Sequence, residues 1–394
     1  MTVMKSNMQR VETLAEVERR FCVEWGALPS FFAIAPGRVN LIGEHVDYNM
    51  GWVLPAAIEK HVVLAANPNG GSRIRVRSSG FSELVSVDLG ELHSRRESGW
   101  GRYVVGVLTV LAERGVDLKG FDGYLESTIP SGGGLSSSAA LEAAVCQAAL
   151  TVAGESMGEM EMAKLCQEAE HRFGGVPCGL MDQAAVFASR EGSLLLMDCG
   201  EETVRHVPFD CEDWAIMILN TGVKHNLADG EYAVRRRCCE EAANLLGLPS
   251  LRSLEPSQLQ ETLSREDLNG ELRRCIRHVV TENERVLRCV KSLRSGDMAT
   301  VGRLLNESHE SLRSDYRVSC RELDFVAKTL QDMDAVTGCR MTGGGFGGSC
   351  VAIVRSEEIR SVSEYAIRAY RKEYGGELDV FSSRPVGGSK VVFN

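Results

Sequence analysis

Met8, Val11, Leu14, Ala15, Phe21, Cys22 and Trp25 recur at near-helical spacing and predict an N-terminal amphipathic helix. Residues 31–65 read as extended segments joined by turns. Tyr103, Val104, Val107, Leu108 and Leu111 share one face of a helix from about Trp100 to Glu113, and Gly115 lies just past its end. A strand is predicted over 121–129 and a glycine-rich turn over 130–135. A helix then opens at the serines and runs to Ala153, before Gly154. The next helix covers about 159–173 and stops at Gly174-Gly175. Strand patterns return at 193–199 and 214–220. From about 230 the chain becomes helical and charged, with a polar connector rich in Ser, Glu and Leu over 250–270. The C-terminal segment combines a glycine-rich turn, a strand at 350–354, a helix over about 357–374 and terminal strands. Strands and helices interleave without the regular alternation of a doubly wound sheet. The domain boundary is expected near 185–200, dividing the chain into 1–190 and 191–394.

A length of 394 residues is comfortable for two domains. Hydrophobic residues at 44% and charged residues at 25% are ordinary for a soluble globular protein. Lys plus Arg number 44 against 54 Asp plus Glu, a formal net charge of −10. That balance argues against a nucleic-acid partner, while a local basic pocket for an anion stays open. The 13 cysteines are irregularly spaced, Cys238 and Cys239 are adjacent, and no CxxC occurs, which speaks against a zinc knuckle or a thioredoxin-type site. They fit small core residues of a protein in a reducing cytoplasm. The opening MTVMKSNMQR lacks the apolar stretch of a signal peptide, and no apolar run of about 18 residues suggests a membrane span.

Four segments carry candidate chemistry. The run Pro130-Ser131-Gly132-Gly133-Gly134-Leu135-Ser136-Ser137-Ser138-Ala139-Ala140 places three glycines before a helix start. Glycines let backbone N–H groups approach an anion and adopt φ > 0. The helix N-terminus offers unpaired N–H groups and a favourable dipole. No Gly-Lys-Ser/Thr follows, so the run is a phosphate cradle without a Walker A motif; a plain turn with a serine N-cap is the blander reading. Ala35 to Asn49 concentrates Arg38, Glu44, His45 and Asp47 among turn formers. Carboxylates and an imidazole so close together suit sugar hydroxyls, though composition alone fits a solvated loop equally. Met341 to Gly348 formally matches GxGxxG, yet a strand rather than a helix follows, which excludes a dinucleotide fingerprint. A protein-kinase glycine loop is excluded too, because no HRD or DFG sequence appears. In Gly174–Gln183, Asp182 follows a Pro-Gly turn and Glu170 ends the preceding helix. Composition alone leaves Asp182 as an N-cap and Glu170 on a solvated face.

In this order and at these separations, the three glycine-containing segments resemble the three motifs of the GHMP kinases. Within that superfamily, Pro36–Asn49 resembles the galactokinase signature. Cys178–Gln183 and Asn220–Tyr232, with Arg235-Arg236-Arg237 behind, extend the likeness over about 20–394. The resemblance implies an α+β, two-domain GHMP-kinase-like fold, mixed sheets with helices and the active site in the cleft between domains. It implies ATP- and Mg²⁺-dependent phosphorylation of galactose at the C1 hydroxyl, giving galactose 1-phosphate and ADP. Asp182 matches the catalytic aspartate and Arg38 the arginine paired with it. Glu44, His45, Asp47, Gly179 and Tyr232 match sugar contacts. Ser138 and Glu170 match magnesium ligands. Gly132, Gly133, Gly134, Leu135, Ser136 and Ser137 match the phosphate cradle, and Trp100 and Tyr103 fall where the adenine pocket is lined.

The sequence departs from the usual pattern at Val46, Met50 and Gly344, none of them a matched catalytic position. Asp182 could accept the hydroxyl proton or orient the hydroxyl while the phosphate bond breaks. Alternatives are a kinase of a related sugar such as N-acetylgalactosamine, or a non-catalytic sugar sensor. The intact Ser138-Ala139-Ala140 and Asp182 argue against the sensor. The implied partners are galactose and ATP, with no nucleic acid and no membrane, for a monomer or weak homo-oligomer.

Overall fold

In β1 (Phe31–Asn40), alternate residues serve two different cores. Phe31, Ala33 and Ala35 join the main core; Phe32 and Ile34 join a smaller one with Val17 and Phe21 of α1 (Thr2–Trp25). Both faces are covered, so all ten strand residues are buried. The computed structural model describes residues 2–94, 97–130, 132–224 and 228–394. Ser131 and His225-Asn226-Leu227 lie outside the described residues, as do the side chains of Met8 and Val11.

The remaining strands are β2 (Trp52–Val53), β3 (Pro55–Pro68), β4 (Arg73–Ser78), β5 (Phe81–Asp88), β6 (Phe121–Ser127), β7 (Ser193–Asp198), β8 (Thr203–Pro208), β9 (Trp214–Lys224), β10 (Val336–Thr342), β11 (Gly347–Arg355), β12 (Asp379–Ser383) and β13 (Lys390–Phe393). They form a six-stranded sheet ordered β13-β1-β3-β6-β4-β5, a four-stranded sheet β10-β11-β9-β12 and a three-stranded sheet β2-β7-β8. Among the described residues only β4 and β6 pair in parallel. The further helices are α2 (Gly101–Glu113), α3 (Ser137–Ala153), α4 (Glu159–Ala169), α5 (Met181–Ala188), α6 (Ala228–Leu246), α7 (Leu259–Leu263), α8 (Gly270–Ser295), α9 (Met298–Ser311), α10 (Arg321–Gln331) and α11 (Ile359–Tyr374). The fold is thus mixed sheets with helices, as expected. Sheet pairing crosses the 190/191 division twice, because β7 pairs with β2 and β13 returns to β1.

Two segments differ from expectation. The polar stretch 250–270 contains α7 and two short 3₁₀ turns, because Leu251, Leu254, Leu259, Leu263 and Leu268 are buried and pin it to the core. The helix expected over 159–173 is α-helical only to Ala169; Glu170–Gly174 widens into a π turn before Gly175, at φ +73°, ends it. Wide turns of this kind recur at functional sites. Among the described residues no helix is long and apolar enough to cross a membrane.

The β1–β3 register shifts between Pro36 and Arg38. At this irregularity Arg38 N–H donates to Leu135 O at 3.2 Å, and a Cβ on Gly37 would stand 3.0 Å from the same oxygen. The bulge therefore docks the 132–138 turn onto the end of β1 and turns Arg38 toward it.

Candidate active site

The turn after β1, the glycine-rich turn before α3, the π turn and the start of α5 enclose a cavity of about 380 Å³. Arg38, Glu44, His45, Asp47, Tyr103, the whole run Gly132–Ser138, Glu170, Asp182 and Tyr232 line it. Val176, Cys178 and Met181, to which the sequence assigns no role, also line it, and so do Gly343 and Gly344 of the third glycine segment. Gly179 and Trp100 are not on the wall. A Cβ at Gly179 would overlap the Asp47 carboxylate, so this glycine lets Asp47 lie against the backbone. Trp100 is buried and stacks on Phe81 with ring centroids 5.5 Å apart, while Tyr103, one turn on, reaches the cavity.

Arg38 is the hub. Its Nε and Nη2 donate to the two Asp182 carboxylate oxygens, each at 2.7 Å, and its Nη1 donates to Gly134 O at 2.6 Å. Such a two-pronged pair fixes geometry as well as charge. Asp182 is the second residue of α5, and its carboxylate faces the cavity rather than capping a helix. The Ser136 hydroxyl donates to Asp182 Oδ2 at 2.5 Å. Ser136 precedes α3 at φ +55° and makes no side-chain cap. The hydroxyl thus bonds the acid and does not cap the helix.

Gly132 and Gly134 take the left-handed conformation, at φ +72° and +71°; Gly133 between them does not, and its Cβ direction points to Asn220 Nδ2 at 3.2 Å. The third glycine motif packs directly against this turn. Gly343 sits at φ +83°, where a Cβ would come within 3.0 Å of Gly134 O, and Ser349 Oγ donates to Gly133 O at 2.7 Å. The two glycine turns thus form one wall.

Ser138 donates to Glu170 Oε1 at 2.8 Å, and Gln183 Nε2 donates to Glu170 Oε2 at 2.6 Å. Glu170 is buried, not on a solvated face. Burial, then the nearby Asp182, raises its carboxyl above the ordinary range. A hydroxyl and a carboxylate side by side are hard oxygen donors suited to Mg²⁺, which needs one or two carboxylates plus phosphates and waters rather than a cage. Among the described residues no three His, Cys, Asp or Glu groups form such a cage.

Glu44 is buried, and part of its acceptor capacity is spent on protein. It accepts from Asn40 Nδ2, from Thr342 Oγ1 at 3.0 Å and from Gly343 N–H at 2.5 Å. His45, at φ +60°, places Nδ1 2.8 Å from Tyr48 Oη and Nε2 3.2 Å from Gly344 O. Burial, helped by His278, Arg235 and Arg340, lowers its pKa to about 3, so the ring is neutral. Since a carbonyl only accepts, Nε2 carries the hydrogen and Nδ1 accepts from Tyr48. Glu44 and His45 therefore clamp the first segment to the third. Asp47 differs: burial, then Asp182, raises its carboxyl to about 7. Tyr232 closes this side, its ring centroid 5.5 Å from His45 and 5.3 Å from Tyr48.

A model of the galactokinase galactose-binding signature matches residues 19–68. Models of the GHMP kinase N-terminal and C-terminal domains match 102–190 and 289–372. Galactokinase of Homo sapiens is 41% identical over 391 residues, covering 98% of each chain. Galactokinase of Streptomyces coelicolor is 40% identical over 377 residues, covering 95% of this chain and 97% of that one. The crystal structure of Lactococcus lactis galactokinase complexed with galactose superposes with a TM-score of 0.91 at 30% identity, covering 96% of this chain and 99% of that chain.

Proposed function

The chain belongs to the galactokinase family of the GHMP kinases, and we propose on that footing that it transfers the γ-phosphoryl group of ATP to the C1 hydroxyl of galactose, giving galactose 1-phosphate and ADP. The observation that carries this reading is the Arg38 side chain, which bonds Asp182 and the glycine cradle at once. A group phosphorylated beside Asp182 would therefore lie next to the phosphates held at Gly132–Ser137.

Phosphoryl transfer depends on in-line positioning and charge neutralisation more than on covalent chemistry. Asp182 would bind the C1 hydroxyl and take its proton as the new bond forms. Arg38 keeps that carboxylate aimed. Asp47 would accept from sugar hydroxyls; Glu44, His45, Tyr232 and the Gly179 backbone would shape the sugar pocket around it. Gly132–Ser137 would hold the phosphates through backbone N–H groups, and Tyr103 with Trp100 behind it would bound the adenine. Ser138 and Glu170 are the residues we assign to Mg²⁺. When bound, the ion supplies charge neutralisation for the phosphates. The wall supports that need, since among the described residues it carries the carboxyl groups of Glu44, Asp47, Glu170 and Asp182 against one guanidinium, Arg38. A polyanionic nucleotide entering such a site requires a cation with it.

We place the boundary between the two functional halves at 190/191, a choice supported by the N-terminal domain match ending at residue 190. We also assign the protein to the cytoplasm as a monomer or weak homo-oligomer; the thirteen free cysteines support a reducing compartment. The test of function is ADP release with galactose, N-acetylgalactosamine and glucose as acceptors. Turnover with galactose well above the others supports the reading, and absence of turnover with galactose overturns it.

A further inference from the structure

We infer that His278, Glu282 and Asn283 on α8 are positioning residues for the sugar pocket: they hold the backbone of the 43–52 loop and so set where Glu44, His45 and Asp47 meet the substrate. The inference rests on the galactokinase reading above.

These three side chains grip the loop at its two ends. Glu282 Oε1 accepts from Gly43 N–H at 2.9 Å. His278 Nε2 lies 3.0 Å from Glu44 O and, facing a carbonyl, must donate to it. Asn283 Oδ1 accepts from Trp52 N–H at 2.8 Å. Residues 278, 282 and 283 fall on one face of a helix, four and five positions apart. The glycines of the loop mark how closely α8 approaches. A Cβ at Gly51 would stand 2.5 Å from Asn283 Oδ1, and one at Gly43, which has φ +103°, would stand 3.1 Å from Val286 Cγ2.

All three side chains are buried, and each is itself held in place. Glu282 also accepts from Ser308 Oγ at 2.6 Å and from Arg285 Nε at 2.7 Å. His278 Nδ1 lies 3.0 Å from Ser311 Oγ, and Asn283 Nδ2 donates to Val279 O at 3.0 Å. Buried polar side chains are unfavourable unless their hydrogen bonds are made. An apolar face on α8 would bury more cheaply, but it would leave Gly43 N–H, Glu44 O and Trp52 N–H unpaired. The helix thus carries polar groups where the loop backbone needs them, and Glu44 is gripped from both sides. Its carbonyl is held by His278, and its carboxylate by Gly343 N–H and Thr342.

The test uses the full-length protein and His278→Leu, His278→Gln and Asn283→Ala. Galactose and a non-hydrolysable ATP analogue with Mg²⁺ are titrated calorimetrically, and both KM values and the melting temperature are measured. Leaving a buried backbone group unpaired should weaken galactose binding roughly ten- to a hundredfold. Nucleotide affinity should stay within about twofold, since among the described residues none from α8 lines the cavity that holds the cradle. His278→Gln, whose amide can still donate to Glu44 O, should recover most of the galactose affinity. If His278→Leu fails to fold, Asn283→Ala carries the same comparison through a single contact at the far end of the loop. Galactose affinity unchanged in a destabilised variant, or equal loss of sugar and nucleotide, overturns the positioning role alone. Wild-type protein that binds nucleotide but no galactose overturns the functional reading and this inference with it.

Discussion

Ser136 Oγ donates to Asp182 Oδ2 at 2.5 Å across 46 residues of sequence, so the first serine of the helix opening serves the acid and not the helix. Together with the two Arg38 bonds, it fixes the carboxylate by three donors. A hydrogen bond to a charged group is worth roughly 1.5–3 kcal/mol, so Ser136→Ala should lower kcat about tenfold or more, with the KM for ATP little changed. Ser136→Gly separates this from stability. It relieves the φ +55° backbone, so the protein should melt no lower than wild type yet turn over slowly. Full kcat in a folded Ser136→Gly would remove Ser136 from the site's working parts.

Asp47 should make sugar binding pH-dependent. Burial, then Asp182, raises its carboxyl from 3.8 to about 7 in the folded protein. Between those values the folded chain holds a proton that the unfolded chain has lost. The group's contribution to stability is therefore full below the unfolded pKa and falls as pH rises through about 7. Only the ionised carboxylate accepts from hydroxyls with all its lone pairs, so kcat/KM for galactose should drop on acidification through the same region. Asp47→Asn should raise the melting temperature by a few degrees in mildly alkaline buffer, leave it nearly unchanged in acid, and weaken galactose binding throughout. An Asp47→Asn variant that melts below wild type at alkaline pH would refute the assignment.

Gly343 links the two glycine turns. Gly343→Ala places a Cβ 3.0 Å from Gly134 O on a backbone at φ +83°. Both effects push the cradle, so the KM for ATP should rise, and galactose binding should weaken as well because Gly343 N–H holds the Glu44 carboxylate. Gly133→Val acts differently, because its Cβ meets Asn220 and not open cavity. It too should weaken nucleotide binding by shifting the turn, and calorimetry with the ATP analogue checks both.

Ser138 and Glu170 are predicted to act through the metal. Ser138→Ala and Glu170→Gln should raise the Mg²⁺ concentration needed for half-maximal rate and slow transfer, with galactose affinity within about twofold of wild type. Glu170→Gln also removes a buried carboxylate whose pKa burial raises, so its melting temperature at neutral pH should not fall. An unchanged Mg²⁺ requirement in both variants would move the metal elsewhere.

The local elements were largely legible from spacing and caps: α2, α3 and β9 lie within a few residues of the pattern reading. The return of β13 to β1 was not, because strand pairing depends on non-local partners that no local pattern encodes. In the site, Arg38 and Asp47 are legible as charges crowded among turn formers, whereas Asp182 alone reads as an N-cap and gains its role only from the resemblance. Ser136 was read as part of the phosphate cradle, since nothing in its neighbourhood announces a partner 46 residues away. The third glycine motif looked weak as a fingerprint, and its use lies in packing Gly343 against Gly134. His278 and Glu282 were invisible, because a buried His or Glu on a charged helix reads as one more solvated face until the loop it holds is seen.

The most direct test is ³¹P NMR of the product formed from ATP, Mg²⁺ and galactose by wild type and by Asp182→Ala. Wild type should give a sugar monophosphate bonded at C1 and ADP in equal amounts. A folded Asp182→Ala that still binds the ATP analogue should lose roughly 10²–10⁴-fold in rate. Phosphate at another sugar position, or Asp182→Ala turnover within tenfold of wild type, would contradict this reading.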